Sequence, residues 1–580
     1  MSWFIGAFPN GNGIISKEFF LQKTAFLPEH RLKICTKQLC LIAGGIAETC
    51  QFSVAADETS GWVAAGVGIH FVDGLPTLMT GADWSTVFAG AETDLSSLNG
   101  HFAAIGWQNR RIRFFTDPLG LRNIFFREID GVMWFASRID WLAGIKSGCK
   151  IELETFSAHW LLINQLSQES GVTGVRRLCQ GGIATAEPGK FTLTNHEWLP
   201  DKSQNFSEKS MPDLLRDFTV CTLGGEKTLS LGLSGGLDSR VLLAQLLNQP
   251  KNDWAVHTFN VPEHPDRKIA GNIASVLGIP QTVIPAFFPD TEKIFEILKN
   301  YVGQTRLSSP ASGFVNVQFY SYLHHLGKIV IDGGSGEIAR RRYLNMLLLR
   351  GKTALLNGNV SQILPFLHVH RANIFTAEVQ LQLENSLAGE LENVWSQMPD
   401  IRHFGVENWL DLFAIRTRFP NFAGPEQSRS DSELVNFMPF VQPAFLQKMF
   451  ETPVRERDNG RMFRKIIREN YPSLTRFSLV KDGIVYPYPF KTISASLWMK
   501  GKRKFGKVYV EQNTIHLLTA IEPQIRGLLD SATVRQSNFY DYQMLQQIVD
   551  GFYSGDQRHA KALDWWLAFE LYRQQIEQTM

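Results

Sequence analysis

The residues best suited to chemistry lie in one glycine-rich hexapeptide near the middle of this 580-residue chain. The hexapeptide reads, in order, Ser234, Gly235, Gly236, Leu237, Asp238 and Ser239. An apolar run (228–233) precedes it and an apolar helical pattern (240–249) follows it, which predicts a buried strand, a loop and a helix. Unpaired amides and the helix dipole at such a junction favour an anion, and two adjacent glycines let the backbone after Leu233 approach a phosphate group.

The charge of this loop predicts a metal ion beside the phosphate. Ser234 and Ser239 add hydroxyl donors, but the carboxylate of Asp238 would repel phosphate unless a cation lay between them. The sequence therefore implies Mg²⁺. The loop is not the P-loop of ordinary ATPases, because G-x-x-x-x-G-K-[ST] is absent. A glycine turn before a capped helix is the alternative interpretation, and the complete hexapeptide in its strand–loop–helix setting argues against it.

Two patterns of elements divide the chain. Up to about residue 200, short alternating apolar segments separated by turn residues predict stacked antiparallel sheets, with strands at 101–108, 111–117 and 132–137. A polar, proline-flanked stretch (199–213) is a plausible linker. Beyond it, apolar runs alternate with helical patterns, which predicts a parallel sheet covered on both faces, with strands at 228–233, 254–261 and 328–334 and helices at 240–249 and 267–278. From about residue 340 the pattern is mostly helical.

Composition sets the class of protein. The length favours two domains, and 44% hydrophobic with 20% charged residues is ordinary for a soluble protein. A net charge of +2 argues against a dedicated nucleic-acid surface. The chain lacks a secretory leader and an apolar run of the roughly 20 residues that a membrane helix needs, so we expect a cytoplasmic protein without membrane contact. Six cysteines without a C-x-x-C pair predict reduced thiols.

The S-G-G-x-D-S loop resembles the pyrophosphate-binding motif of adenylate-forming ATP pyrophosphatases, and the wider pattern resembles the asparagine synthetase family. Further segments resemble that family in its own order, namely 98–103 (LNGHFA), 117–126, 174–178 (GVRRL) and 436–440 (NFMPF). In that family ATP loses pyrophosphate and AMP is left on a substrate carboxylate. The resemblance implies an α/β fold, with an N-terminal Ntn-type αββα sandwich (1–200) and a C-terminal adenine-nucleotide α-hydrolase-like parallel sheet with many helices (210–580).

The same resemblance extends to a second glycine-rich loop, which runs from Asp332 to Glu337 as D-G-G-S-G-E. It resembles the family's S-G-[DE]-G-x-D-E, which helps to bind nucleotide, magnesium and pyrophosphate. Asp332 matches its first acid, Ser335 stands where Asp is usual, and Glu337 is displaced by one position. The resemblance implies nucleotide binding by Val261, Gly333 and Gly334 as well as the first loop, and metal binding by Asp238, Asp332 and Glu337.

Other residues are assigned by position within the resemblance. Lys481 lies in PSLTRFSLVKDGI (472–484), which resembles the segment whose lysine meets the adenylate, so Lys481 and Asp332 are the implied catalytic residues. Asp266 matches the acid that opens the family's second helix, with helix capping as the alternative. The run Arg340–Arg342 would either clamp phosphate or a substrate carboxylate, or form a solvated helix face.

The N-terminus resembles a degenerate glutaminase. MSWFIGAF aligns with the family's M-C-x-I-x-G-x-F, which places Ser2 at the position of the nucleophilic cysteine. Thiolate chemistry is lost there, and the glutamine-binding sequences R-G-P-D and N-G-E-I-Y-N are missing from residues 40–95. We therefore expect a structural remnant and a nitrogen that comes from free ammonia or from an amine of the substrate.

The predicted function is an ATP-dependent amide ligase whose partners are ATP, a small-molecule or peptide carboxylate and ammonia or an amine donor. Three alternatives stay open: a glutamine-hydrolysing asparagine synthetase that uses Ser2, a ring-closing cyclase like β-lactam synthetase or the lasso-peptide cyclases, and a non-catalytic scaffold. The sequence does not select the acid, the amine or the oligomeric state.

Overall fold

The computed structural model of the chain describes eleven segments, namely 2–27, 30–89, 95–162, 165–201, 208–223, 227–259, 261–284, 291–317, 319–431, 433–505 and 512–577. The central part of the expected linker (202–207) lies outside them. Among these segments both antiparallel sheets lie before residue 195 and the parallel sheet lies after residue 227.

The first part of the chain forms two antiparallel sheets. Its strands are β1 (Trp3–Pro9), β2 (His30–Cys35), β3 (Cys40–Gly44), β4 (Cys50–Val54), β5 (Ser60–Val72), β6 (Leu75–Leu78), β7 (Asn99–Gln108), β8 (Arg111–Thr116), β9 (Ile124–Ile129), β10 (Val132–Ala136), β11 (Val175–Leu178), β12 (Ile183–Glu187) and β13 (Lys190–Thr194). One sheet has the order β11-β9-β10-β1-β3-β2, and the other has the order β13-β12-β8-β7-β5-β4 with β6 on β5. The three strands expected from alternation are confirmed as β7, β8 and β10.

Alternation of side chains along these strands builds a core between the two sheets. Phe8 and Phe135 of the first sheet pack against Ile105 and Phe114 of the second, and the rings of Phe114 and Phe135 lie 4.8 Å apart. The outer faces are covered by helices α1 (Lys17–Thr24), α2 (Gly81–Ala89), α3 (Ile139–Ala143) and α4 (Leu153–Leu161). The layers of this part therefore follow the order helix, sheet, sheet, helix, and the stacked antiparallel sheets that the sequence predicts are present.

The second part of the chain contains a parallel sheet. Its strands are β14 (Thr228–Gly232), β15 (Trp254–Thr258), β16 (Gln281–Val283), β17 (Lys328–Ile331) and β18 (Asn436–Phe437), and β19 (Leu479–Lys481) with β20 (Ile484–Tyr486) forms a separate hairpin. The order is β16-β15-β14-β17-β18, so the first and fourth strands of the sheet in chain order are neighbours. The strand order reverses between these two strands, and in open α/β sheets ligands bind outside the carboxyl ends of the strands at such a point.

Helices pack around this sheet and extend to the C-terminus. They are α5 (Met211–Val220), α6 (Leu237–Leu246), α7 (Pro265–Leu277), α8 (Thr291–Thr305), α9 (Phe319–His325), α10 (Gly336–Ala339), α11 (Asn345–Arg350), α12 (Lys352–Leu356), α13 (Val360–Leu367), α14 (Ala377–Gln397), α15 (Ile401–Phe404), α16 (Val406–Arg418), α17 (Gly424–Ser430), α18 (Pro443–Glu451), α19 (Val454–Arg457), α20 (Arg461–Asn470), α21 (Thr492–Phe505), α22 (Asn513–Ala520), α23 (Glu522–Asp530), α24 (Ala532–Arg535), α25 (Tyr542–Tyr553) and α26 (Ala560–Ile576). Short helical turns join them at Ala311–Asn316, Phe419–Ala423, Asp458–Gly460, Pro472–Arg476 and Gln557–His559. Gly278 ends α7 in the left-handed region, as the sequence predicts.

One continuous apolar core joins the two parts. Trp134 on the outer face of the first sheet and Trp160 of α4 belong to the same cluster as Leu383 of α14 and Phe569 of α26. None of the helices within the described segments combines the length and apolar character needed to cross a membrane.

A disulfide bond contradicts one prediction from the sequence, that all cysteines are reduced. Cys35 ends β2 and Cys40 begins β3, and the hairpin register places them opposite each other with a disulfide between them. The prediction of six reduced thiols is wrong for this pair, because the turn that joins the strands brings the two side chains together. Cys50, Cys149, Cys179 and Cys221 are free.

Buried histidines predict how stability depends on pH. Burial lowers the pKa of His257 to about 4 and that of His159 to about 3, below the ordinary 6.5. As the pH falls below 6.5 the unfolded chain takes up protons that these folded side chains refuse, so stability falls. In His257→Asn the asparagine still offers Ser230 a hydrogen-bond partner. We expect the free energy of unfolding of this variant to fall less steeply than that of the wild type, by about 1.4 kcal/mol per pH unit between about pH 6 and 4.5.

Urea unfolding of the wild type and the variant across this pH range measures the slope. His403→Asn is the matched control, because its side chain is 94% exposed. An identical slope in wild type and His257→Asn would contradict the assignment.

Candidate functional site

The hexapeptide begins at the carboxyl end of β14, next to the end of β17. Within the hexapeptide, Ser239 Oγ accepts from the amide of Ser234 at 3.2 Å and Ser234 Oγ accepts from the amide of Gly236 at 3.1 Å. From outside it, Asp266 Oδ1 accepts from the amide of Gly235 at 2.7 Å. Leu233 is bonded to the sheet through the carbonyl of His257. These four amides therefore hold the loop in shape.

The amides at the start of α6 differ from those of the loop. The N–H groups of Leu237, Asp238 and Ser239 have no hydrogen-bond partner among the described residues. Gly236 precedes them in an extended conformation and gives no side-chain cap. Three unpartnered donors at the positive end of a helix dipole are suited to an anion such as phosphate.

The second glycine-rich loop packs directly on the first. A Cβ at Gly333 would lie 2.9 Å from the amide nitrogen of Ser239, and a Cβ at Gly336 would lie 2.6 Å from Cγ of Asp238. Any larger side chain at these positions would push the two loops apart. The structure thus brings Asp332, Gly333 and Gly334 beside the hexapeptide, and Asp332 itself is exposed to solvent while its Oδ1 accepts from the amide of Gly334.

Asp238 is held by an arginine. Arg340 Nε lies 2.6 Å from Oδ1 of Asp238 and Arg340 Nη2 lies 2.9 Å from Oδ2, a bidentate ion pair. Burial raises the pKa of Asp238, and the charge of Arg340 acts in the opposite direction. Sequence reasoning placed a cation beside Asp238, and the structure supplies one from the protein itself.

The three acids predicted to bind a metal do not form a ready site. Both oxygens of Asp238 face Arg340, and Glu337 lies 3.5 Å from Arg418. Over the described parts of the chain, no group of three or more His, Cys, Asp or Glu side chains is placed to hold a metal ion. The residues present therefore do not fit a preformed magnesium site, and metal binding by Asp238, Asp332 and Glu337 stays a prediction.

A hairpin brings Lys481 to the loop. The amide of Val480 donates to the carbonyl of Gly235 at 2.9 Å, which sets the residue before Lys481 against the hexapeptide. Buried Arg240 of α6 donates to the carbonyls of Phe477 at 2.6 Å and Ser478 at 2.7 Å, just before β19. Sequence reasoning missed Arg240, because an arginine after a phosphate loop carries no motif of its own.

Positive charge collects around Lys481. Loss of hydration beside the loop and the charge of Arg342 lower the pKa of Lys481, Arg340 lowers it further, and the adjacent carboxylate of Asp482 acts in the opposite direction. Arg342 is half-buried in the same region, and no carboxylate partner for its side chain is present among the described residues. A cluster of like charges of this kind is stabilised by a bound anion.

The three arginines of the run Arg340–Arg342 lie in two different surroundings. Arg340 and Arg342 lie on the side of the site, whereas Arg341 is 1% exposed and lies 3.5 Å from Asp411 in the core. Asp411 also accepts from Arg457 at 2.5 Å. The alternative of a solvated helix face is therefore wrong, because none of the three side chains lies open to water.

Two further predicted residues differ in their placement. Asp266 lies in the first turn of α7, where the side chain of His264 provides the cap, and it contacts the hexapeptide through Gly235. Val261 follows β15 at the same edge of the sheet, and within the described segments it makes no backbone hydrogen bond to the hexapeptide.

Ser2 belongs to a separate, sealed cluster. It is 0% exposed, its amide donates to Asp431 Oδ1 at 3.2 Å, and its hydroxyl donates to the carbonyl of Asp431 at 2.9 Å while also contacting Thr49. Arg122 donates to the carbonyl of Ser2 at 2.8 Å and to Asp431 Oδ1 at 2.7 Å, and His101 lies 3.1 Å from Oδ2. A carboxylate from the second part of the chain thus fills the position beside the predicted nucleophile.

A turn in the first part of the chain positions Arg122 for this contact. The carboxylate of Asp117 accepts from the amides of Leu119, Leu121 and Arg122 at 2.8 to 3.1 Å. Burial favours the neutral form of Asp431, but the charge of Arg122 and the hydrogen bond and charge of His101 act against it, and the pKa of Asp431 lies below its ordinary 3.8. Sequence reasoning identified Ser2 and missed Asp431, since 429 residues separate them.

This cluster predicts a joint role in stability. Asp431→Ala leaves Arg122 buried without its carboxylate, and we expect a loss of about 3–5 kcal/mol, the cost of breaking a buried ion pair. Differential scanning calorimetry measures the change. Asp530→Ala on the exposed end of α23 is the control, and a melting temperature equal to that of the wild type would show that Asp431 does not join the two parts.

Comparisons with known proteins show only distant similarities. No protein-family model matches the chain, and no curated protein matches it. Among solved structures, it resembles an allosteric regulatory enzyme of purine biosynthesis with 12% identity over 49% of this chain and a TM-score of 0.20, and it spans 59% of that protein's length.

Two other structures show a similar level of likeness. A glutamine phosphoribosylpyrophosphate amidotransferase from B. subtilis matches with 9% identity over 57% of this chain and 81% of its own, at a TM-score of 0.22. The U34-tRNA thiolase NcsA from Methanococcus maripaludis matches with 12% identity over 38% of this chain and 82% of its own, at a TM-score of 0.15. At these scores the likeness does not define a function for this chain.

Proposed function

We propose that this protein is an ATP-dependent amide ligase that forms AMP and pyrophosphate. The observation that carries the proposal is the meeting of two glycine-rich loops at the carboxyl ends of β14 and β17, where the unpartnered amides of Leu237, Asp238 and Ser239 lie beside the Asp332 loop. The hairpin that carries Lys481 is bonded to the same place through Gly235. Helix donors, two close glycine loops and a cluster of cations together suit a polyphosphate.

The proposed chemistry has two steps. A carboxylate oxygen of the substrate attacks the α-phosphorus of ATP, which forms an acyl-adenylate and releases pyrophosphate. An amine then attacks the acyl carbon, and AMP leaves as the amide forms. Lys481 is suited to both steps, because a compact cation on a flexible stem can stabilise negative charge on the phosphate and then on the tetrahedral intermediate.

The burial of Ser2 supports a nitrogen source other than glutamine. A nucleophile must reach its substrate, whereas Ser2 is sealed and both its amide and its hydroxyl bond to Asp431. Free ammonia or an amine of the substrate fits this arrangement, so direct amidation and ring closure are both retained within the proposal. Glutamine hydrolysis through Ser2 has no geometric support.

Turnover by Lys481 variants tests the proposed function. Wild-type protein with ATP, magnesium and a panel of amino-acid and peptide carboxylates should release pyrophosphate and AMP. Lys481→Ala should lose about 10²-fold or more in this rate, because the charge it supplies is needed in the transition state. Lys500→Ala, on the exposed face of α21, and Ser2→Ala should both keep the wild-type rate with ammonia or the substrate amine.

Two results would contradict the proposal. Bound ATP without pyrophosphate release across the whole panel would favour a non-catalytic scaffold. Glutamate release from glutamine that disappears in Ser2→Ala would restore the glutaminase alternative.

Arg240 should position Lys481 and not act on substrate. Arg240→Ala leaves the carbonyls of Phe477 and Ser478 without their donor and loosens the strand before Lys481. We expect a drop in kcat of about 10²-fold, the usual effect of misplacing a catalytic group by an ångström. In the Lys481→Ala background the same change should have little further effect on kcat.

The double-mutant cycle separates positioning from general damage. Arg476→Ala, an exposed arginine just before the same segment, is the control. Independent, multiplicative losses in the double variant would show that Arg240 acts elsewhere.

A further inference from the structure

We propose that Arg340, Arg342 and Lys481 form a binding site for the diphosphate part of a nucleotide, in which Arg340 takes the place of a metal ion at Asp238. The inference deepens the proposed function and rests on it. Such a site binds pyrophosphate without a magnesium ion held by the protein.

The first support is the state of Asp238. Its two oxygens are each engaged by one nitrogen of Arg340, so its charge is balanced inside the protein. Gly336 packs against the same carboxyl group, where even a Cβ would lie 2.6 Å from Cγ of Asp238. A magnesium ion demands six oxygen ligands in near-octahedral geometry, and at Asp238 it would compete with the guanidinium of Arg340 for both oxygens.

The second support is that two other acids near the site, Glu337 and Asp482, each contact a different arginine. Glu337 faces Arg418 at 3.5 Å, and Asp482, next to Lys481, pairs with Arg503 at 3.0 Å. Arg342 and Lys481 consequently remain as cations without a carboxylate partner in the described segments. Their excess of positive charge lies beside the helix amides of α6, on which a diphosphate would place its oxygens.

The third support is the balance of charge in this part of the chain. The second loop contains two acids, Asp332 and Glu337, and the run of Arg340 to Arg342 follows the loop after two residues. Fewer carboxylates and more guanidinium groups move the site from metal coordination towards direct phosphate binding, for which the planar, permanently charged guanidinium is suited.

Calorimetric titration of the full-length protein with inorganic pyrophosphate tests the inference, once with EDTA and once with Mg²⁺. The wild type should bind in both conditions with affinities within about threefold of each other. Arg340→Gln should lose about tenfold or more in EDTA and regain it with Mg²⁺, because the freed Asp238 can then coordinate the ion. Arg342→Gln should lose about tenfold in both conditions.

Arg350→Gln is the control, since Arg350 is exposed at the end of α11 and should bind like the wild type. If Arg340→Gln fails to fold, Arg340→Lys keeps the charge and should keep metal-free binding. Electron paramagnetic resonance with Mn²⁺ gives a readout that does not depend on turnover. The nucleotide-free wild type should show no tightly bound ion.

The outcomes separate this inference from the proposed function. A wild type that binds pyrophosphate with Mg²⁺ but not in EDTA, or that holds Mn²⁺ tightly by itself, overturns the inference and leaves the ligase proposal in place. Equal binding by wild type and Arg340→Gln in EDTA also overturns it. A wild type that binds pyrophosphate in neither condition overturns the inference and the ligase proposal together.

Discussion

The arrangement of the site depends on how the negative charge of Asp238 is balanced at the start of a helix. A carboxylate would repel a phosphate group bound beside it unless a cation were held against the carboxylate. Arg340 meets this need through two short contacts, and Gly336 and Gly333 let the second loop come close enough to carry it there. The topology of the sheet makes the meeting possible, because β14 and β17 are neighbours whose loops open at the same edge.

Several contacts outside the site maintain this arrangement. Arg341 and Arg457 share Asp411 in the core, which fixes the middle of the arginine run and leaves its two ends beside the site. Arg240 reaches from α6 to the segment before Lys481. The N-terminal part is attached through the buried cluster of Ser2, Arg122 and Asp431, so the position expected for a nucleophile serves as a contact between the two parts of the chain.

Much of the fold could be predicted from the sequence. Alternation identified strands such as β7 and β8, and the change to a helical period identified α6 and α7 with its end at Gly278. The short strands β18 and β19 were missed, because two or three residues give no periodicity. The disulfide between Cys35 and Cys40 was missed as well, since it follows from the register of a hairpin.

The candidate site was predictable where a motif is local and was missed where it is not. The structure places the Asp332 loop and the hairpin of Lys481 against the hexapeptide. The four amides from Leu233 to Gly236 are already hydrogen-bonded, however, and the unpartnered donors begin at Leu237. The partners Arg340 and Arg240 depend on side-chain directions that spacing does not encode. For the same reason the sequence did not indicate that Arg340 contacts Asp238, the residue beside which it implied a magnesium ion.

The most direct test of the central claim is a crystal structure of the protein with α,β-methylene ATP, an analogue that cannot release pyrophosphate. The account predicts that the terminal phosphates lie against the amides of Leu237 to Ser239, with Lys481 and Arg342 within hydrogen-bond distance of phosphate oxygens. Triphosphate bound elsewhere, away from the carboxyl ends of β14 and β17, would contradict it.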